Sequence, residues 1–224
     1  MDRSAIFLSL RLAASTALIL LLFGMPLAFW LAQSRSKWKF AIEAIVSLPL
    51  VLPPTVLGFY VLLAISPTSR VGSLYRDWTG TTLPFSFAGL LVGSILYSLP
   101  FAIQPFTAAI TAVDRVQIET AWSLGASRLE TFFRIILPLS FPGILTGVIL
   151  SFAHTLGEFG LVMMIGGNIP GVTRTISVSI YDSVQELDYG TAGRSALLLL
   201  IVSLLVLTLV NFLRGRSLRK WQPL

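Results

Sequence analysis

Charged residues fall along this chain in clusters separated by long, uncharged and mostly apolar runs: between Arg11 and Arg35, Glu43 and Arg70, Asp77 and Asp114, Arg134 and Glu158, and Arg194 and Arg214. Each run can hold the roughly 20 residues that a helix needs to cross about 30 Å of hydrocarbon, where backbone polar groups must be satisfied within the segment. The pattern predicts five spans, near residues 12–32, 41–65, 85–106, 139–163 and 195–213. The second contains Pro49, Pro53 and Pro54, which remove helix hydrogen bonds and predict a kink or local break. One reading makes these tolerated transmembrane prolines; the other makes them a bend lining a pathway.

Between the third and fourth spans lies a charged, helix-forming insert, ETAWSLGASRLETFFRIILP, at 119–138. Asp114 with Gln117, and Ser127 with Glu130, have the spacing of a capping box, and Gly125 suits a left-handed stop between two short helices. Pro138 is expected to close the second. Ile118, Ala121, Trp122 and Gly125 fall at i, i+3, i+4 and i+7, as do Leu129, Phe132, Phe133 and Ile136, so each half presents one apolar stripe. Periodicity leaves two readings open, a connector lying on the bilayer surface and an elbow that docks on something else.

Composition agrees with a membrane protein: 55% of the 224 residues are hydrophobic and only 12% are charged. The first run also follows a short basic start, as a signal peptide would, but it is long and runs into Pro26 and Trp30 rather than a small-residue cleavage site. Arg35, Lys37 and Lys39 follow the first span, Arg115, Arg128 and Arg134 the third, and Arg214, Arg216, Arg219 and Lys220 the fifth. The positive-inside rule therefore puts the amino terminus outside and the elbow and carboxyl terminus in the cytoplasm, although Arg70, Arg76, Arg174 and Arg194 fall on the outer side. The net charge of +6 reads as this topology signal, and no basic patch interleaved with aromatics points to nucleic acid.

The chain has no cysteine, which excludes disulfides, zinc–thiolate sites and iron–sulfur clusters. Its one histidine, His154, lies at i, i+4 from Glu158, a spacing that favours a structural pair or two groups lining a polar cavity over a metal centre. Glu158 itself sits in or at the end of an apolar span, among Gly157, Gly160, Gly166, Gly167 and Gly171. It is either an interfacial carboxylate or part of a gate, with Gly157 and Gly160 letting two chains approach and Glu158 bonding across. No phosphate-binding loop and no Gly-Lys pair occurs, and no nucleophile–base pair marks an enzyme.

The order of residues in the insert is more specific than its periodicity. Glu119, Ala121, Gly125, Ile135, Leu137 and Pro138 resemble the EAA loop of ABC-importer permeases, with Thr120 in place of the second alanine. The resemblance implies an all-α, polytopic membrane bundle of the type I (MetI-like) permease fold, one transmembrane domain over residues 1–224. Within it, 114–137 is a cytoplasmic coupling loop docking on an ATPase through Glu119, Thr120, Ala121, Gly125 and Ala126. It also implies a non-catalytic subunit in the inner membrane that binds no cofactor, leaving ATP and Mg²⁺ to two partner ATPase subunits. The other partners implied are a second permease copy, a periplasmic or lipoprotein binding protein and membrane lipid.

GEFG at 157–160, GNIPGVTRT at 167–175, SIYDSVQ at 179–185 and LPLVLPPTVLG at 48–58 are similar to permeases of molybdate importers. Sulfate permeases share the GEFG and EAA regions but usually differ at Asn168–Gly171, so molybdate, or its analogue tungstate, is the expected cargo and sulfate or thiosulfate the alternative. His154, Gly157, Glu158, Gly160, Pro53 and Pro54 are the expected pathway or gate residues. An ion-coupled secondary transporter, the remaining alternative, would show a paired repeat and several intramembrane charges, and neither stands out.

Overall fold

The computed structural model describes residues 2–219, and within them the side chains up to 212. Lys220 lies outside the described residues, as do the side chains of Arg214, Arg216 and Arg219. Every described element is a helix. Four are long and apolar enough to cross a membrane: α1 (Arg3–Gln33), α5 (Phe87–Thr111), a composite helix over Arg128–Gly157, and α11 (Tyr189–Arg219). Between α1 and α5 come α2 (Lys39–Ser47), α3 (Pro54–Ile65) and α4 (Arg70–Thr79).

The predicted second span is broken. Helix α2 runs on through one tight turn at Leu48–Leu50, and the axis then bends by 114° before α3 begins. Pro53 and Pro54 lack amide donors, and a residue before proline is pushed out of the helical region. Pro53 accordingly adopts an extended ψ of 139° while Pro54 opens α3.

The fourth span differs from expectation at both ends. Helices α6 (Arg115–Ser123) and α7 (Arg128–Thr131) form the elbow, but Pro138 does not close its second half. A π-helical turn at Phe132–Ile136 carries α7 straight into α8 (Leu137–Gly157), with the Leu137 amide bonded to the Phe132 carbonyl. The wider turn accommodates the missing donor and the ring of Pro138, so the elbow and the span are one composite helix. At its far end the span stops at Gly157 rather than continuing to 163. Glu158 is extended, and a separate helix α9 (Gly160–Gly166) follows, then α10 (Ile176–Gln185).

Helices α1, α5 and α8 pack pairwise as the centre of the molecule, α11 lies against α8 and α10, and α3 lies along α9. Small residues set the central contacts: a Cβ at Gly143 would collide with the Ala109 methyl, and one at Gly147 would stand 2.6 Å from the Phe106 ring. One buried cluster, with Leu31, Val46, Phe106, Ile110 and Ile136, fills the elbow end. Two others, around Leu12, Leu90 and Val162 and around Val61, Leu161 and Ile165, fill the opposite end. There the Ser9 hydroxyl of α1 accepts from the Ile176 amide at 2.8 Å, satisfying a donor that the first turn of α10 would otherwise leave unpaired. Arg11, embedded in α1, places its guanidinium 4.2 Å over the Phe87 ring, which offsets part of the penalty of a cation on a spanning helix.

The amphipathic helix α4 was not anticipated in the connection between the second and third predicted spans. Val71, Leu74 and Trp78 form its exposed stripe, at the 3–4 residue spacing that could have revealed it.

Candidate functional site

Two regions hold the predicted functional residues. At the elbow, Asp114 caps α6 by accepting from the Val116 amide at 2.9 Å, at the second helical position, instead of completing a reciprocal box with Gln117. The second cap is reciprocal: the Glu130 amide donates to the Ser127 hydroxyl at 3.2 Å and the Ser127 amide to the Glu130 carboxylate at 2.9 Å. Between them Gly125 has φ +86°, a left-handed conformation costly for residues with a Cβ, and open space where a side chain would project.

The elbow's surface is divided. Ala121 is buried against the bundle, as is Thr131, while Glu119 and Thr120 are exposed and Ala126 is half-buried. Thr120 donates its hydroxyl to the Val116 carbonyl at 2.7 Å, so the departure from alanine adds no unsatisfied polar group. Leu124 is 83% exposed and Leu129 69% exposed. Two large apolar side chains are thus left exposed around the capped turn.

The second region lies about 20 Å along α5 from the elbow, taking 1.5 Å per residue between Ser98 and Thr111. Here α5 contributes Ser94 and Ser98, one turn apart, and α8 contributes His154, Thr155 and, just past its end, Glu158. Ser98 Oγ lies 2.9 Å from His154 Nδ1 and 2.8 Å from Thr155 Oγ1, and the Ser94 hydroxyl donates to Glu158 Oε2 over a long 3.4 Å. The imidazole is stacked on Phe101, with centroids 3.9 Å apart, and flanked by Tyr97. Glu158 is 5% exposed, and its Oε1 has no hydrogen-bond partner among the described residues.

Within the chain, Glu158 is therefore held on one oxygen by Ser94, and its other oxygen is left without a partner among the described residues. Gly160 makes a close approach within the chain: a Cβ there would lie 2.9 Å from the Cβ of Pro54, and one at Gly58 would lie 2.8 Å from the Cβ of Met164. Pro53, Pro54, Glu158 and Gly160 thus come together where two helix breaks meet, with α3 and α9 packed side by side. Gly157 stands apart, exposed with open space around it. Ser94, Ser98 and Thr155 escaped the sequence reading. Their signal was there: Ser94–Ser98 and His154–Glu158 are polar pairs at the same i, i+4 spacing in two apolar spans. Among the described residues no cluster of three or more His, Cys, Asp or Glu could hold a metal ion.

In the loop from α9 to α10, Arg174 donates to Asn168 Oδ1 at 2.6 Å and pairs with Asp182 at 3.0 Å, while the Asn168 amide donates to Asp182 at 2.8 Å. This closed triangle holds Asn168, at φ +50°, and pins the NIPG turn to α10.

The fold joins a broken helix pair, a capped elbow and a buried polar ladder. The family described as "Binding-protein-dependent transport system inner membrane component" matches residues 24–221. The chain belongs to that family. This permease is 50% identical over 206 residues, 92% of the chain and 91% of the relative, to the molybdenum transport system permease protein ModB of Azotobacter vinelandii. It is 35% identical to the corresponding Escherichia coli K12 protein over 92% of the chain and 90% of the relative. A probable sulfate transport system permease of Chlorella vulgaris is 34% identical over 93% of the chain and 78% of its own length.

Among solved structures, a bacterial ABC transporter involved in alginate import superposes with a TM-score of 0.73 at 22% identity, covering 98% of this chain and 79% of that one. The inward-facing MetNI methionine ABC transporter gives 0.69 at 16% identity, covering 94% of both chains. These likenesses confirm the ABC-importer permease fold. The permease is a multi-pass, all-helical inner-membrane transport component.

Proposed function

We propose that this permease forms the translocation pathway of an ATP-driven molybdate importer. The observation that carries this reading is the 50% identity, across 92% of the chain, to a molybdenum transport permease. The geometry supports the division of labour. The elbow offers an exposed apolar turn around Gly125 for an ATPase, and its second half is continuous through the π turn with α8, whose far end meets the buried ladder and the α3–α9 pair. Movement of the elbow is thereby transmitted along one helix to the break at Glu158.

In this reading two copies of the chain assemble, each docking one ATPase subunit through Glu119, Thr120, Ala121, Gly125 and Ala126. A periplasmic or lipoprotein binding protein delivers the oxyanion at the opposite face, and the amino terminus lies outside. ATP and Mg²⁺ act in the partner. Sulfate is the second reading, favoured by the 34% identity to a probable sulfate permease.

The deciding experiment measures ATP hydrolysis by the purified permease–ATPase complex with its binding protein loaded either way. Stimulation by the molybdate-loaded protein and not the sulfate-loaded one is expected. Equal stimulation by both would remove molybdate selectivity, and stimulation by neither would remove the importer reading.

A further inference from the structure

Beside the elbow lies a cavity of about 260 Å³ that is separate from the buried ladder and shares only Glu119 with the proposed coupling residues. It opens where α1 ends, α5 ends and α6 begins. Its polar wall carries Arg35 from just beyond α1, Arg115 from the first turn of α6, Gln33 and Glu119; Ile110 and Val113 form part of an apolar wall. Among the described residues neither guanidinium has an ion-pair partner, the ion pairs there being Lys39–Glu43, Arg76–Asp77 and Arg174–Asp182. Two arginines against one carboxylate leave the cavity net positive.

From this convergence we propose that the cavity binds a phosphate-type oxyanion, held by Arg35 and Arg115 and bridging the end of α1 to the coupling helix. Guanidinium groups form paired hydrogen bonds with tetrahedral oxyanions, which a point charge does not match. The volume is below the roughly 300–1,000 Å³ of drug-sized ligand pockets, and it suits a head group rather than a nucleotide. Its place at the ends of two spanning helices puts it at the hydrocarbon boundary, where basic pockets between helices take the phosphates of anionic lipids. A free oxyanion from the same compartment, phosphate or the transported ion, presents the same chemistry. Bound there, either would tie α6 to the bundle and stiffen the elbow against the load of the ATPase. The site rests on the proposed topology, in which this end faces the cytoplasm.

The test reads occupancy on the full chain extracted from its membrane. In native mass spectrometry with phosphatidylglycerol and phosphatidylcholine offered in equal amounts, the wild type should retain phosphatidylglycerol and the R35Q/R115Q variant should retain at least tenfold less. R35K/R115K, which keeps the charge, should fall between them and shows that loss is not misfolding, and R70Q, remote from the cavity, should match the wild type. In a second arm, inorganic phosphate or molybdate is titrated onto chain in phosphatidylcholine alone. A rise in thermal stability absent from R35Q/R115Q assigns the free oxyanion as the source. Equal retention by wild type and R35Q/R115Q with no response to free oxyanion overturns the site. Because occupancy is measured without an ATPase, its outcome is independent of whether Gly125→Asp uncouples the complex, which tests the docking reading.

Discussion

Glycine does opposite work in the two regions of this permease. Gly125 at the elbow has a backbone that a Cβ disfavours, φ +86°, and empty space around it. Gly58 and Gly160 at the helix breaks have ordinary backbone but no space, with neighbouring atoms 2.8 and 2.9 Å from where a Cβ would stand. At the elbow the chain leaves space around its glycine, and at the breaks it fills that space itself. Substitutions should therefore separate them, the first damaging function with the fold intact and the second damaging the fold.

The largest effect is expected from Gly125→Asp. Asp tolerates positive φ better than most residues, so the chain should fold and reach the membrane. A charge projecting from the docking turn should lower molybdate uptake in proteoliposomes at least about 100-fold, or about 2.8 kcal/mol of coupling. Gly125→Asn, with the same backbone tolerance and no charge, should lose much less. Full uptake by Gly125→Asp would remove the elbow from the coupling path.

At the joint, Gly160→Leu forces a side chain into Pro54 and should cost about 1–3 kcal/mol, read as a lower unfolding temperature of the purified permease. An unchanged melt would show that α3 and α9 separate freely. Glu158→Ala strands the Ser94 hydroxyl and opens a void, a loss of about 2 kcal/mol. Glu158→Gln, which keeps shape and acceptor, should retain most of it, and equal melting of all three proteins would mean that the ladder holds nothing.

Ser127→Ala should cost about 1 kcal/mol, confined to the elbow and visible as faster amide exchange at 128–131. Exchange unchanged from wild type would mean that the cap is dispensable. The smallest effect belongs to a cap remote from both regions. Asp188 accepts from Thr191, side chain first and then the amide at 3.0 Å, which holds its carboxyl below the ordinary 3.8. A depressed folded-state pKa contributes stability that is full above the unfolded value and is lost as pH falls through the folded one. Fraying of the first turn of α11 should thus begin only below about pH 3.8, and exchange there that rises between pH 7 and 5 would contradict the cap.

The spans, the elbow and the glycine stop were legible because each is written in local periodicity, capping residues and charge spacing. The break at Pro53–Pro54 was legible as a break but not as a bend of 114°, since proline removes a donor without dictating where the chain goes next. The continuity of the elbow with α8 was hidden, because Pro138 looks like a stop unless the preceding turn widens. The end of α8 was hidden too: hydropathy does not fall between Gly157 and Met163, although the helix stops there.

Taken alone, the sequence determined where the long apolar helices lie, where the elbow lies between them and which residues cap it, because hydropathy and helix capping depend on neighbours within a few positions. Only the tertiary structure decided that Glu158 meets Ser94, that Gly160 meets Pro54 and that Arg35 meets Arg115 across one cavity. Those pairs lie 64, 106 and 80 positions apart in the chain, and only tertiary packing, of α5 on α8, of α3 on α9 and of α1 on α5 beside the start of α6, brings them within reach.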